Sequence, residues 1–317
     1  MAVPDNERSK LDDAARAGWL YYIAGNTQDE IAKKLKVSRA TAQRLVSLCL
    51  SERLITFKLE HPIAACMELA ARLTDKYQLR HCEVVPTDAV TPTSVTGVAQ
   101  RAAALLEATL RAEKPAIVAI GTGRTMRAAV EQIPPMDCPN HQVVSLVGNI
   151  SPDGSASFFD TLARLADLTN ARHYPMPLPV FVASDAERQQ LLKISPVSRV
   201  RALAEQADLR LVGIGQIDQN AQVVRDGFIT RDELLEMLRL GAVGEVIAWA
   251  IDAEGRIIRG GTNKRLTSMT LPVPATSLTV GAALGPSKIA PIRAALKGRI
   301  VNGLITDEAT AKALLKS

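Results

Sequence analysis

Apolar residues at helical spacing predict two short helices between Thr27 and Glu52. The stripe consists of Ile31, Ala32 and Leu35 in the first helix and of Ala42, Leu45, Val46 and Cys49 in the second. Thr27 precedes Glu30 by the spacing of a capping box, and Ser38 is placed to cap the second helix. The pattern therefore predicts two helices joined by a tight turn, with Lys36 where glycine is common.

The segment before this pair predicts a third helix of the same small domain. Residues 1–10 are polar and are expected to be a disordered start. Leu11–Ala24 has a helical pattern, and Gly25-Asn26 is a natural C-terminal stop. We therefore expect an all-α domain at the N-terminus.

A change of pattern near residue 60 predicts a domain boundary. Leu54–Leu59 favours a strand or an extended exit, and His61-Pro62 breaks the chain before an amphipathic helix over Ile63–Tyr77. We expect two domains, which comprise residues 1–58 and residues 59–317.

The second domain alternates short apolar runs with helical segments. The predicted strands are Glu83–Pro86, Ala116–Ile120, Val143–Val147, Leu209–Ile214, Val246–Ile251, Leu278–Ala282 and Val301–Ile305. The predicted helices are Val95–Arg111, Thr125–Ile133, Arg231–Leu240, Lys288–Leu296 and Asp307–Leu315. This alternation is typical of the α/β class, with a mainly parallel sheet covered by helices on both faces.

Composition narrows the protein class. Hydrophobic residues make up 47% of the 317 residues and aromatic residues only 3%, which predicts a large aliphatic core. The N-terminal sequence lacks the apolar segment of a signal peptide, and no apolar run reaches transmembrane length. The four cysteines lie far apart, outside zinc or CxxC spacing, so we expect reduced thiols, a cytoplasmic protein, no metal and no cofactor.

Basic charge is concentrated on the predicted helix pair. Seven basic residues and one acidic residue lie between Lys33 and Lys58, a local charge of +6 against +5 for the whole chain. The exposed polar side chains of the second helix include Ser47, and such donors reach phosphates and base edges in a major groove. The predicted DNA contacts are Thr27, Gln28, Ser38, Arg39, Thr41, Gln43 and Arg44. The alternative is an ordinary helix pair with a solvated charged face.

Gly121–Thr125 follows a predicted strand and opens a helix, as ligand-binding loops of parallel sheets do. Its glycines allow close backbone approach, and the helix N-terminus favours an anion. Met126 replaces the third glycine of a dinucleotide-binding fingerprint, and the Gly-Lys-Ser/Thr ending of a Walker A loop is absent. A purely structural turn remains the alternative.

Three further loops are candidates for the same site. They are Gly148-Asn149, Gly241–Glu245 and Gly285–Lys288. Glu245 is a candidate acceptor for sugar hydroxyls, or a solvated carboxylate. Lys288 is opposed by the helix dipole unless it shares an anion with the helix N-terminus, and a surface lysine is the alternative.

At these residues the chain resembles the SorC family of bacterial sugar-responsive transcriptional regulators. The matching stretches are TQDEIAKKLKVSRATAQRL, AIGTGRTMRAAVEQI, VVSLVGNIS, YPMPLPV, LRLVGIG, LRLGAVGEVIAWAIDAEG and GPSKIAPIRAALKGRIVNGLITDEATAKALL. The resemblance implies a helix-turn-helix head on an effector domain similar in fold to sugar-phosphate isomerases and deaminases. It also implies a homotetramer, a dimer of dimers, on operator DNA.

The same resemblance implies a site for a sugar, polyol or sugar-phosphate effector. The residues carried over are Gly121, Thr122, Gly123, Arg124, Thr125, Asn149, Glu245 and Lys288. Two departures from the family pattern, at Leu284-Gly285 and at Gly123–Thr125, leave a phosphosugar, a free sugar and a sugar alcohol as alternatives.

The sequence favours a regulator over an enzyme. A phosphosugar isomerase or deaminase with an attached DNA-binding domain needs a general acid or base over its substrate. No Asp-His or Asp-Glu cluster at the predicted strand ends compels that role, so we expect no catalytic residues. A DNA-binding scaffold with a degenerate effector domain is a third alternative.

Overall fold

The computed structural model describes residues 5–52, 54–55, 63–155 and 161–316. The chain divides into two compact units, Met1–Pro62 and Ile63–Ser317. The predicted boundary between residues 58 and 59 lies outside the described residues, as do the last four positions of the predicted strand Leu54–Leu59. Leu54 and Ile55 themselves form a bend.

The N-terminal unit is all-α. Its helices are α1 (Asp5–Gly18), α2 (Gln28–Leu35) and α3 (Arg39–Ser51), and a π-helical turn, Trp19–Ile23, follows α1. The predicted disordered start is therefore wrong from Asp5 onward, because α1 extends through those polar residues. The predicted helix ending at Ala24 does continue to Ile23, but its last turn is π-helical.

Local capping accounts for both ends of α2 and for the start of α3. The Thr27 backbone N–H donates to Glu30 at 2.8 Å and the Glu30 N–H donates to the Thr27 hydroxyl at 3.4 Å, which confirms the capping box. Ser38 accepts from the Thr41 N–H at 3.1 Å. Lys36 ends α2 with φ of 53°, the left-handed conformation that favours glycine.

A buried aliphatic cluster holds these helices together. Gly18 lies so close to Cys49 that a Cβ there would overlap the thiol, so α1 and α3 cross at short range. The predicted apolar stripe is confirmed, and the buried members of the cluster are Ala14, Ala17, Ile31, Ala32, Ala42, Leu45, Val46 and Cys49.

The larger unit contains a mainly parallel sheet. Its strands are β1 (His81–Val85), β2 (Ile117–Ile120), β3 (Gln142–Ile150), β4 (Arg172–Pro179), β5 (Leu209–Gln216), β6 (Gly244–Val246), β7 (Trp249–Ile251), β8 (Leu278–Ala282) and β9 (Gly303–Asp307). The order is β1-β9-β8-β5-β2-β3-β4, with every neighbouring pair parallel, and the antiparallel β6 and β7 continue from β5.

Helices cover both faces of this sheet. They are α4 (Ala64–Tyr77), α5 (Thr96–Leu110), α6 (Arg124–Val130), α7 (Leu162–Thr169), α8 (Asp185–Leu191), α9 (Ser195–Glu205), α10 (Gln222–Arg225), α11 (Arg231–Arg239), α12 (Ile289–Lys297) and α13 (Glu308–Leu315). Alternate strand residues enter different apolar clusters, as Leu211 and Val212 of β5 do, because successive side chains point to opposite faces. The predicted α/β class is confirmed.

The predicted strand Val246–Ile251 is wrong in one respect, because it is two strands. Ile247 and Ala248 form the turn between β6 and β7, with φ of 47° and 68°, which is the signature of a type I′ hairpin turn. An unbroken apolar run carries no sign of such a turn, because neither residue is a turn former.

The sheet reverses its winding between β2 and β5. The connection leaving β2 leads through α6 to β3 on one side, whereas the chain after β5 leads to β8 on the other side. In open parallel sheets, such a switch point leaves a crevice at the carboxyl ends of the two strands.

Candidate functional site

A cavity of about 690 Å³ lies at this switch point. Its walls come from the ends of β2, β5 and β8, from the segment between β5 and β6, from the β6–β7 hairpin, and from the loop before α5. Six of the eight predicted effector-binding residues line it, namely Thr122, Gly123, Arg124, Thr125, Glu245 and Lys288. The volume is that of a small-molecule site.

The loop after β2 brings a cation to the cavity. Gly123 has φ of 113°, so only glycine is unstrained at the point where the chain turns into α6. Arg124 follows directly and donates a hydrogen bond to the side-chain oxygen of Gln222. The Gln222 amide nitrogen in turn donates to Asp226 at 2.6 Å. The Arg124 side chain is thereby held toward the α10 segment.

The β6–β7 hairpin brings a carboxylate to the cavity. Glu245 accepts from the Ala248 N–H at 2.6 Å and packs against Gly215, where a Cβ would overlap the carboxylate. Burial raises the pKa of Glu245, while the Lys288 charge and the Ala248 N–H act in the opposite direction. The side chain is therefore a half-buried acceptor with a reduced tendency to ionise.

Lys288 reaches the cavity from the segment that follows β8. Gly285 precedes a short 3₁₀ helix, Pro286–Lys288, that leads into α12. The Gly285 N–H donates to the Thr310 hydroxyl at 2.8 Å. Burial lowers the pKa of Lys288, and the Glu245 carboxylate partly compensates this effect. Among the ion pairs of the described residues, none includes Lys288.

Two predicted site residues do not line the cavity. Gly121 belongs to the ladder beside β2, where its N–H donates to Leu211 at 2.8 Å. Asn149 lies within β3, because that strand continues to Ile150 where a loop was predicted. Val147 of the same motif lines the cavity, whereas Asn149 lies farther along β3 and does not.

Sequence reasoning missed several residues that do line the cavity. They are Thr91, Thr93 and Ser94 before α5, Thr96 at the start of α5, Gly213–Ile217 at the end of β5, and Gln222 and Asp226. The paired glycines of LVGIGQ at a strand end were a usable signal for the second group. No local pattern marks Gln222 or Asp226, which arrive through tertiary folding.

The N-terminal unit presents a second surface of interest. Arg39, Gln43, Arg44 and Ser47 of α3 are exposed, and the last three border a shallow groove along this helix. Arg39 contacts Asp29 of α2 at 3.5 Å, with both side chains well exposed. Thr27 and Ser38 are also exposed, whereas Gln28 and Thr41 are half-buried.

Other kinds of site find no support in the described parts of the chain. Over those residues, no group of three or more His, Cys, Asp and Glu side chains is arranged to hold a metal ion. No helix among them is long and apolar enough to cross a membrane.

Comparison with known sequences gives consistent relatives. A family model described as "Putative sugar-binding domain" matches residues 61–316. The erythritol catabolism regulatory protein EryD of Brucella abortus is 33% identical over 302 residues, covering 95% of this chain and 96% of that protein. The transcriptional regulator LsrR of Klebsiella pneumoniae is 31% identical over 306 residues, covering 95% and 92% respectively.

A solved structure has a similar fold over nearly the whole chain. The full-length sorbitol operon regulator SorC from Klebsiella pneumoniae matches with a TM-score of 0.69 at 21% identity. The match covers 97% of this chain and 99% of that chain, so the fold similarity includes both units.

Proposed function

This chain belongs to the SorC family of sugar-binding transcriptional regulators, and we propose that a small effector in its cavity controls its binding to operator DNA. The effector is a sugar, a polyol or a sugar phosphate of a catabolic pathway. Two proteins similar to this chain are named as regulators of erythritol catabolism and of the sorbitol operon. Because the proposed partner is DNA, we infer that the protein acts in the cytoplasm.

The cavity at the switch point is the observation that carries this proposal. It combines hydrogen-bond acceptors for ligand hydroxyls, hydroxyl-bearing side chains and two cationic side chains in one volume of about 690 Å³. Lys288 and Arg124 can bind an anionic group, and Glu245 can accept hydrogen bonds from ligand hydroxyls. This mixture suits a small polyhydroxyl compound with or without a phosphate.

The N-terminal unit supports the DNA-binding part of the proposal. Helices α2 and α3 have the capping and the shared buried face of a helix-turn-helix, and α3 would be the helix that enters the major groove. Thr27, Gln28 and Ser38 lie at helix N-termini, where backbone N–H groups meet phosphates. Arg39, Thr41, Gln43 and Arg44 lie in the first two turns of α3, where side chains reach base edges.

A two-stage experiment tests this proposal. Sugars, polyols and their phosphates are first screened for a rise in melting temperature, because a ligand of the native state stabilises it. Compounds that stabilise the protein are then titrated into its complex with DNA from the promoter beside its own coding sequence. We expect at least one to change operator affinity.

The contrary results are specific. Absence of a complex at fixed low salt, or a stabilising ligand that never changes operator affinity, contradicts the proposal. Product formation from any of the tested phosphosugars would instead favour the enzyme, for which Glu245 and Lys288 would be the acid-base candidates.

A further inference from the structure

One wall of the cavity is a separate excursion of the chain, which we call the cap segment, residues 218–242. The Ile217 N–H donates to the Val243 carbonyl at 3.3 Å, so the two ends of the segment meet. Its buried residues Ile229, Leu234 and Met237 share one apolar cluster with Ala250 of β7 and with Ile258. The cap segment is therefore anchored at α11, where Glu233 also pairs with Arg265, and its α10 portion is the part that Arg124 contacts.

A hydrogen-bonded chain joins the cap segment to the loop after β2. Arg124 donates to the side-chain oxygen of Gln222, and the Gln222 amide nitrogen donates to Asp226 at 2.6 Å. Asp226 fixes the orientation of the Gln222 side-chain amide, because a carboxylate can accept a hydrogen bond only from the amide nitrogen. The amide oxygen therefore faces Arg124. All three residues line the cavity.

Gln222 is a partner that an anion can replace. A guanidinium binds a phosphate or carboxylate more strongly than a neutral amide oxygen, through paired and charge-assisted hydrogen bonds. An anionic group on Arg124 would also lie near the Asp226 carboxylate, and like charges at short range repel. Both effects favour separation of Gln222 and Asp226 from Arg124, whereas a neutral polyol produces neither.

We propose that Gln222 determines the class of effector to which the protein responds: it holds Arg124 against the cap segment and yields it to an anionic group. Anionic effectors thus release the cap segment from the loop after β2, and neutral polyols leave it attached. This inference rests on the function proposed above, because it assumes that the effector occupies this cavity.

The test follows hydrogen exchange of the cap segment in the full-length protein without DNA. Inorganic phosphate is the anionic probe and erythritol the neutral one, at constant ionic strength. We expect phosphate to speed exchange around Gln222, in residues 218–228, and erythritol not to do so. Unchanged exchange with phosphate at tens of millimolar, or faster exchange with erythritol, would overturn the proposal.

Two substitutions at one position separate competition from direct ligand binding. Gln222→Met keeps the side-chain length but removes both hydrogen bonds, so exchange should be fast without phosphate and phosphate should bind about three- to tenfold more tightly. Gln222→Glu provides an anionic partner for Arg124, so phosphate should bind more weakly than in the parent. Weaker phosphate binding by Gln222→Met would mean that Gln222 contacts the ligand, and equal binding would mean no competition; either overturns the inference.

A matched control is Gln189→Met. Gln189 is exposed and donates to Asp185 at 2.8 Å within α8, and it is not among the residues that line the cavity. It should behave like the parent protein in every arm. None of these readouts involves an operator, so a failure of DNA control and a failure of the Gln222 competition are distinguished.

Discussion

At the scale of single residues, the cavity contains two side chains of opposite charge, Glu245 and Lys288, and burial opposes the charged form of each. Burial raises the pKa of Glu245 and lowers that of Lys288, and each partly offsets the shift of the other. Desolvation thus moves both groups toward neutrality, while their mutual attraction favours the charged pair. Such a balance is easily shifted by a ligand that carries charge.

The raised pKa of Glu245 has a consequence for stability. A carboxyl group that binds its proton more tightly in the folded state stabilises that state most below its unfolded pKa, near 4.3. The contribution is lost as pH rises through the folded pKa. We expect Glu245→Gln, which stays neutral, to gain stability relative to the parent over the range in which pH rises from the unfolded pKa through the folded pKa. Urea unfolding across this range measures the difference, and a constant difference would contradict the shift.

Lys288 is expected to bind the effector. Loss of a charge-assisted contact worth about 1.5–3 kcal/mol should weaken effector binding of Lys288→Ala by roughly one to two powers of ten. Operator affinity without effector should be nearly unchanged. Lys297→Ala is the control, because Lys297 pairs with Glu254 at 3.4 Å outside the cavity lining. Calorimetric titration with an identified effector makes the comparison, and equal affinities for both variants would place the site elsewhere.

Residues of the site differ in how well the sequence alone predicts them. Gly123, Arg124 and Lys288 are predictable, because a glycine and a charged residue between a strand and a helix are a local signal. The sequence predicts a loop at Asn149, because β3 extends beyond its apolar run. Gln222 belongs to a short helix without strong periodicity, so only the tertiary fold brings it to Arg124.

At the scale of elements, the β6–β7 hairpin stores backbone strain at the cavity. Ile247 and Ala248 both have left-handed backbone conformations, and both line the cavity. A β-branched residue in this conformation costs roughly 1–2 kcal/mol. The turn presents the Ala248 N–H to Glu245, so the strain positions the carboxylate.

Relief of that strain is measurable. Ala248→Gly should raise the free energy of unfolding by about 0.5–1 kcal/mol, because glycine adopts φ of 68° without a Cβ clash. Ala250→Gly, two residues away in β7, should instead lower it by about 1 kcal/mol, because its strand backbone gains nothing from glycine. Guanidinium unfolding of both variants tests this, and destabilisation by Ala248→Gly would disprove the strain argument.

Helix α3 is the element expected to read DNA. Arg44→Ala removes an exposed guanidinium and should weaken specific operator binding by roughly 1–3 kcal/mol, with the fold intact. Arg72→Ala, on the exposed side of α4, serves as the charge-matched control. Gel-shift titrations at fixed salt measure both. Parent-like affinity of Arg44→Ala and of Arg39→Ala would exclude α3 as the reading helix.

Elements with local signals were predicted, and those that depend on the sheet were not. β8 was predicted over its observed range because its apolar run is buried on both faces. β4 was missed, because Pro175, Pro177 and Pro179 argue against a strand. Proline is tolerated there since β4 is the edge of the sheet, a position that only the topology reveals.

At the scale of the whole molecule, one small head covers few base pairs, and symmetric oligomers on repeated half-sites are the usual remedy. We expect a tetramer assembled mainly through the larger unit. Sedimentation of a chain lacking residues 1–58 should therefore still show an oligomer, with the full-length protein as reference. A monomer would locate the interface in the N-terminal unit.

The position of β9 has a consequence for the order of synthesis. β9 lies inside the sheet, between β8 and β1, although it is made after both. The N-terminal unit has its own core and can fold as soon as it leaves the ribosome, whereas the sheet must wait for β9. On the function proposed here, an unfinished chain has a folded DNA-binding unit but does not yet have the larger unit that is expected to form the oligomer. Tight operator binding and the response to the effector would then be acquired together, when β9 enters the sheet.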